Sequence, residues 1–143
     1  MHINQISVFL ENRTGQLAEV TKLLSDNQIN LRAISIAETA DYGVLRIIVD
    51  DSARAASVLL EAGNIITMNP VVVVAVPDQP AGLSEVLSLL SESKIDIEYM
   101  YALFTHQAGK AYMVFRTEEE DTFTDLLAKH GLSAVAPAEL ELK

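Results

Sequence analysis

The sequence contains no cysteine and no tryptophan, and only four phenylalanines and four tyrosines. The missing cysteine excludes disulfides, thiolate nucleophiles and cysteine-based metal sites. So few aromatic rings mean that any core is built mainly from Leu, Ile, Val and Ala. Long apolar runs are absent too. The longest, Val71 to Val76, is far short of the roughly 20 residues a membrane-crossing helix needs. The opening Met1-His2-Ile3-Asn4-Gln5 lacks the basic-then-apolar pattern of a secretion signal, so a cytoplasmic protein is expected. Basic residues are scarce, 10 against 20 acidic, for a formal net charge of −10. That sign argues against nucleic acid or an anionic membrane surface as partner. The acid is unevenly placed, with a net of −3 over residues 1–69 and −7 over residues 70–143.

What the sequence does have is a repeat. Leu17-x-x-Val20-x-x-Leu23-Leu24 returns as Leu83-x-x-Val86-x-x-Leu89-Leu90, an offset of 66 residues. The same offset carries Ile29-Asn30-Leu31 onto Ile95-Asp96-Ile97, Gly43 onto Gly109, and Ile47-Ile48-Val49 onto Met113-Val114-Phe115. It also carries Asn12 onto Asp78, each at the end of an apolar run. The register slips by one residue near Leu59-Leu60 and Leu126-Leu127. Two domains follow, 1–69 and 70–143. Modules of about 70 residues bury only about 60% of their unfolded surface and are marginal alone, so each is expected to pack on another module.

Each copy has the same periodicity. Ile3 to Leu10 alternates as a strand does. Asn12-Arg13-Thr14-Gly15 is turn chemistry. Leu17, Val20, Leu23 and Leu24 have helical spacing, ended by Asp26-Asn27-Gln28. Leu31 to Glu38 and Val44 to Val49 are strands, Ser52 is expected to cap a second helix, and Ile65 to Met68 is a short last strand. Copy two repeats this as Val71–Val76, Gly82–Ser93, Ile97–Phe104, Ala111–Arg116, Glu119–His130 and a strand from Ser133. The order β-α-β-β-α-β predicts an α+β, ferredoxin-like fold, with an antiparallel sheet and both helices on one face. Only Asn69 and Pro70 separate the copies. Either the flanking strands run on as one or the modules exchange an edge strand.

Chemistry is sparse. His2, His106 and His130 lie far apart and form no i,i+4 pair, so no metal site is expected. No nucleophile stands beside an oriented base, no cofactor motif is present, and no enzyme activity is expected. Glu118-Glu119-Glu120-Asp121 fits the charged first turn of a helix. Tyr99 and Tyr101 share a strand face, as packing or as a pocket wall. The best candidate site is the loop after the first strand of each copy. These loops are Asn12-Arg13-Thr14-Gly15-Gln16-Leu17 and Asp78-Gln79-Pro80-Ala81-Gly82-Leu83. A glycine there admits a ligand close to the backbone, and the following helix offers free N–H groups to a carboxylate. Asn12 and Asp78 are placed to cap the helix or to accept from an ammonium group, and both readings stand. The second candidate is the next strand's entry, Asn30-Leu31 and Asp96-Ile97, placed to face the same loop of a neighbouring module, where an acidic or amide side chain suits an α-amino group. Ordinary helix-end turns use the same residues.

The motif Asn12-Arg13-Thr14-Gly15-Gln16-Leu17 leading to Ile29-Asn30-Leu31 resembles the signature of ACT domains: a strand, an Asn/Asp-x-Pro-Gly-x-Leu turn, a helix and an Ile-Asn-Ile strand entry. Copy two repeats it, and the resemblance spans essentially the whole chain. Copy one departs at Thr14, where the pattern has Pro. Copy two keeps Pro80, but Ala81 fills the glycine slot and Gly82 falls one position late. The resemblance implies ferredoxin-like modules pairing into an eight-stranded sheet. It implies a small ligand, usually an amino acid, held between modules, with a homodimer or a partner enzyme regulated by it. An interaction subunit that binds an enzyme without any ligand is the alternative.

Overall fold

The computed structural model describes every residue except 1, 12, 39, 40 and 105–107. The chain forms two compact units, Asn4–Asn69 with Leu140–Lys143, and Pro70–Glu139 with Met1–Ile3.

The first unit holds β1 (Ile3–Glu11), α1 (Gln16–Asp26), β2 (Leu31–Glu38), β3 (Tyr42–Val49) and α2 (Ser52–Glu61). Its strands run antiparallel in the order β2-β3-β1. Ile6, Val8 and Leu10 of β1 and Leu45, Ile47 and Val49 of β3 recur every second residue and so share one face. They form one core with Val20 and Leu24 of α1 and Ala55 and Leu59 of α2. Asp51 caps α2, its side chain accepting from Arg54 N–H at 3.1 Å. The expected cap, Ser52, is instead the first helical residue: the chain turns one residue earlier, and a carboxylate favours that position as much as a hydroxyl.

The second unit takes up β4 (Ile65–Pro77) from Pro70 onward, then α3 (Gly82–Glu92), β5 (Tyr99–Ala102), β6 (Lys110–Arg116) and α4 (Glu120–Lys129). Its antiparallel order is β4-β6-β5. Val72, Val74, Val76 and Phe115 pack on Val86 and Leu90 of α3 and on Phe123 and Leu127 of α4. Both units therefore bury their helices against one sheet face, as the periodicity predicts.

The repeat extends to the backbone. α1 and α3 end in the same turn, with Ile29 N–H donating to Leu24 O at 2.9 Å and Ile95 N–H to Leu90 O at 3.0 Å. Gln28 and Lys94, 66 residues apart, both take left-handed φ, 57° and 56°. A non-glycine residue there costs roughly 1–2 kcal/mol. The turn satisfies orphan carbonyls and lets Leu24 and Leu90 stay almost fully buried, each gaining roughly 1.5–3 kcal/mol, so burial outweighs the strain.

Six strands, not eight, stand as separate elements among the described residues. The last strand of copy one and the first of copy two are one strand, β4, with Asn69-Pro70 inside it. The strand expected from Ser133 is reduced to a single bridge, Val74 to Ala134, and one hydrogen bond from Val135 N–H to Val73 O at 2.7 Å. Pro137 then starts a short 3-10 helix, Pro137–Leu140. Proline has no N–H to give a ladder, which stops the strand there. β5 is also shorter than expected.

Candidate functional site

The ends of three strands converge beside the first turn of α1. Leu10 of β1 and Glu38 of β2 both pair with Gly43 of β3. After β1, Arg13 N–H donates back to Glu11 O at 2.8 Å, turning the chain. Gly15 then adopts φ 89° as the N-cap of α1, with no side-chain cap hydrogen bond. That left-handed conformation is one glycine takes without steric cost. The first-turn amides of a helix have no intrahelical acceptor, so here they are left facing outward with their share of the helix dipole. A cavity of about 390 Å³ opens at this point, lined by Leu10, Arg13, Thr14, Gly15, Leu17 and Ile36 among others. It has a polar end at the amides and an apolar wall of Leu10, Leu17 and Ile36.

Arg13 is held over this loop by Glu19, with Nη1 and Nη2 donating at 3.0 and 2.8 Å to its two carboxylate oxygens. This bond raises the Arg13 pKa above its ordinary value and holds the Glu19 carboxyl below its own. The pair is exposed and contributes little to stability, but it orients the guanidinium. Because Glu19's folded value is depressed, its contribution is present at neutral pH and is lost as the pH falls through that value. A carboxyl-detected NMR titration is expected to find Glu19 titrating below the ordinary glutamate value, and Arg13→Ala is expected to raise it.

Copy two is built differently. Ala81, in the glycine slot, takes right-handed φ of −86° as the N-cap of α3. Gly82 is buried, and a Cβ there would overlap the Pro77 carbonyl oxygen and lie 3.1 Å from its carbonyl carbon. In copy one, a Cβ on Gly15 would meet nothing within 4 Å. The two glycines thus do different work. Gly15 shapes an open loop, whereas Gly82 lets the helix start press against the end of β4. Asp78 and Pro80 are exposed and Leu83 packs on the core, with Asp78 N–H donating to Gly109 O at 2.9 Å. No side chain caps α3 either, so of the two readings of Asp78 the capping one is not made. Asn12 lies outside the described residues.

Within one unit the two sequence candidates do not meet. Asn30 and Leu31 enter β2 opposite Val49, while the loop lies at Glu38, seven residues along the strand and therefore about 23 Å away. Asn30 is tied to Asp50: its N–H donates to Asp50 Oδ1 and its carbonyl accepts from Asp50 N–H, both at 3.0 Å. In copy two Asp96 is exposed and Ile97 packs at the edge of the core. The cavity wall instead recruits Glu11, Ile36, Glu38 and Gly43, which reasoning from motifs missed. Strand register was the signal that would have found them.

Among the described residues no group of three His, Asp or Glu side chains converges on a metal position. His2 Nδ1 lies 2.7 Å from Glu120 Oε2, and His130 Nδ1 lies 3.0 Å from Leu126 O at the end of α4. His106 lies outside the described residues. Tyr99 and Tyr101 stack with centroids 6.4 Å apart. Among the described residues no helix is long and apolar enough to cross a membrane.

A fold of two βαββαβ copies with an open glycine loop at the start of a helix matches one family. The family described as an ACT domain pair matches residues 1–142, and the chain belongs to it. A crystal structure of a Bacteroides thetaiotaomicron protein shares 36% identity and superposes with a TM-score of 0.91, covering 99% of this chain and 96% of that one. The ligand-free regulatory subunit of aspartate kinase from Thermus thermophilus has a TM-score of 0.65 at 14% identity, covering 88% and 91%. A structure of aspartokinase alpha and beta subunits has 0.62 at 16%, covering 88% and 90%. At such identities the last two are likenesses of fold. No curated protein matches the sequence.

Proposed function

We propose that this chain is a non-catalytic, cytoplasmic regulatory protein that senses an amino acid at the copy-one loop. The observation that carries this reading is the uncapped start of α1 at left-handed Gly15, opening onto a cavity with an apolar wall. The amino acid's carboxylate meets the first-turn amides, where the helix dipole favours an anion, and its ammonium group meets Glu11 and Glu38 of the same wall. Its side chain lies toward Leu10, Leu17 and Ile36. The copy-two loop, closed around Gly82, serves packing. Membership of the ACT domain pair family supports a regulatory role, exerted in a homodimer or on a separate enzyme. A ligand-independent interaction subunit is the second reading. What favours it is the exposed pair Phe9 and Tyr42, ring centroids 6.3 Å apart, since exposed aromatics are enriched at protein interfaces.

A thermal-shift screen of the twenty amino acids decides between the two. Ligand at a hundred times its dissociation constant adds about 2.7 kcal/mol to the native state, so at least one amino acid is expected to raise Tm. Gly15→Val, which closes the loop, is expected to remove that shift. No response to any of the twenty at millimolar concentration rejects the sensor reading. Copurification of a stoichiometric partner then favours the second.

A further inference from the structure

A second cavity of the same unit, about 320 Å³, lies between the first turn of α1 and the C-terminal end of α2. It shares Glu11, Arg13 and Gln16 with the first and diverges beyond them to Glu19, Leu23 and Asn64. We propose that this second cavity binds a small primary ammonium ion carrying a short alkyl chain.

The argument starts from Gln16. Its side chain is nine-tenths buried, and its Oε1 accepts no hydrogen bond. A buried acceptor without a donor costs free energy, and native structures rarely leave one unexplained. Nothing in the repeat demands a polar group here, since the equivalent position of copy two is Gly82. Gln16 stands on the wall common to both cavities, and the surroundings decide which occupant it serves. The first cavity sets helix amides beside Glu11 and Glu38 and suits a zwitterion, whose own carboxylate faces the amides. The second presents two carboxylates and the negative end of the α2 dipole, which suit a cation.

The charge count agrees. Arg13 is bound by both Glu19 oxygens and lies 3.7 Å from Glu11. One cation among two anions leaves the group one positive charge short. An ammonium supplies that charge and gives Gln16 Oε1 its missing N–H donor. A neutral apolar molecule leaves the acceptor orphaned, and a carboxylate meets like charge. Val20 and Leu23 line the same cavity and offer the alkyl chain an apolar surface.

The test is titration of the full ¹⁵N-labelled chain with n-butylammonium chloride, against tetramethylammonium chloride at equal ionic strength. Tetramethylammonium has the charge but no N–H to donate. The expected result is saturable amide shifts at Gln16, Glu19, Leu23 and Asn64 with butylammonium alone. Gln16→Met is expected to weaken binding about tenfold, the effect of one hydrogen bond to a charged group. Ala62→Lys, at an exposed wall position, is expected to abolish binding by filling the site with its own ammonium. Equal binding of the two cations overturns the proposal as mere attraction to an acidic surface. So does unchanged butylammonium affinity in a folded Gln16→Met or, should that variant not fold, in Ala62→Lys. These readouts use no amino acid, so they stand whichever way the thermal-shift screen falls.

Discussion

Replacing Arg116 by methionine is expected to destabilise the protein by about 3 kcal/mol. Arg116 is 9% exposed at the end of β6. Its Nε contacts Glu98 at 3.0 Å, Nη2 contacts Glu118 at 3.1 Å, and Nη1 contacts Glu120 at 3.3 Å. Nη1 also donates to Pro70 O and Thr117 O at 3.1 and 3.3 Å. Methionine keeps much of the volume but supplies no donor and no charge. Glu98 and Glu118 are 46% and 76% exposed, so water compensates them and their share is small. The cost concentrates on Glu120, only 15% exposed, and on the two carbonyls that lose a donor. Breaking a buried pair from one side typically costs about 3–5 kcal/mol, and the exposed partners place this case at the lower end. Urea denaturation should show a lowered midpoint with an unchanged m-value. Glu118→Gln, in contrast, should cost under about 1 kcal/mol. Equal losses in the two variants would show that the guanidinium is not the centre of the cluster.

Gly82→Ala is expected to cost about 3 kcal/mol, although alanine is the better helix former by up to about 1 kcal/mol. The clash decides the sign. The new methyl overlaps a backbone oxygen, Pro77 O, which cannot rotate away as a side chain can, so α3 or the end of β4 must move. Gly15→Ala is the matched control. Its Cβ enters open space, and only the left-handed φ is penalised, at roughly 1–2 kcal/mol. Chemical denaturation of both variants therefore reads out the different work of two glycines that look alike in sequence. If Gly15→Ala proves the costlier, the assignment of packing to Gly82 and openness to Gly15 is wrong.

Much of the fold was legible because it rests on local rules. The recurrence of Val20 and Leu24 as Val86 and Leu90 is a helix period, and Ile6, Val8 and Leu10 a strand period. Both are properties of residue order. Even the helix-ending turns repeat, at Gln28 and Lys94. The candidate site was half legible. The turn residues Arg13 to Leu17 do line a cavity, and Asn30 stands a strand's length from it within the same unit, so the two candidates can meet only between modules. Spacing along the chain says nothing of which end of a sheet a residue occupies.

By itself, then, residue order determined the repeated α+β module, its helix faces and the turn, Arg13 to Leu17, that lines the cavity beside α1. Only the tertiary structure decided the rest. Glu118 and Glu120 read as helix-start charge, and Glu120 does stand in the first turn of α4, but both also meet Arg116 at the end of β6. Asn69-Pro70 left a continuous strand and an exchanged edge both open, and it lies inside one strand. Gly82 read as a displaced ligand glycine and is a point of contact between α3 and β4. In each case the deciding quantity is how the backbone bends between residues only a few positions apart, which sets distances such as Arg116 to Glu120 and Gly82 to Pro77, and periodicity carries no information about that bend.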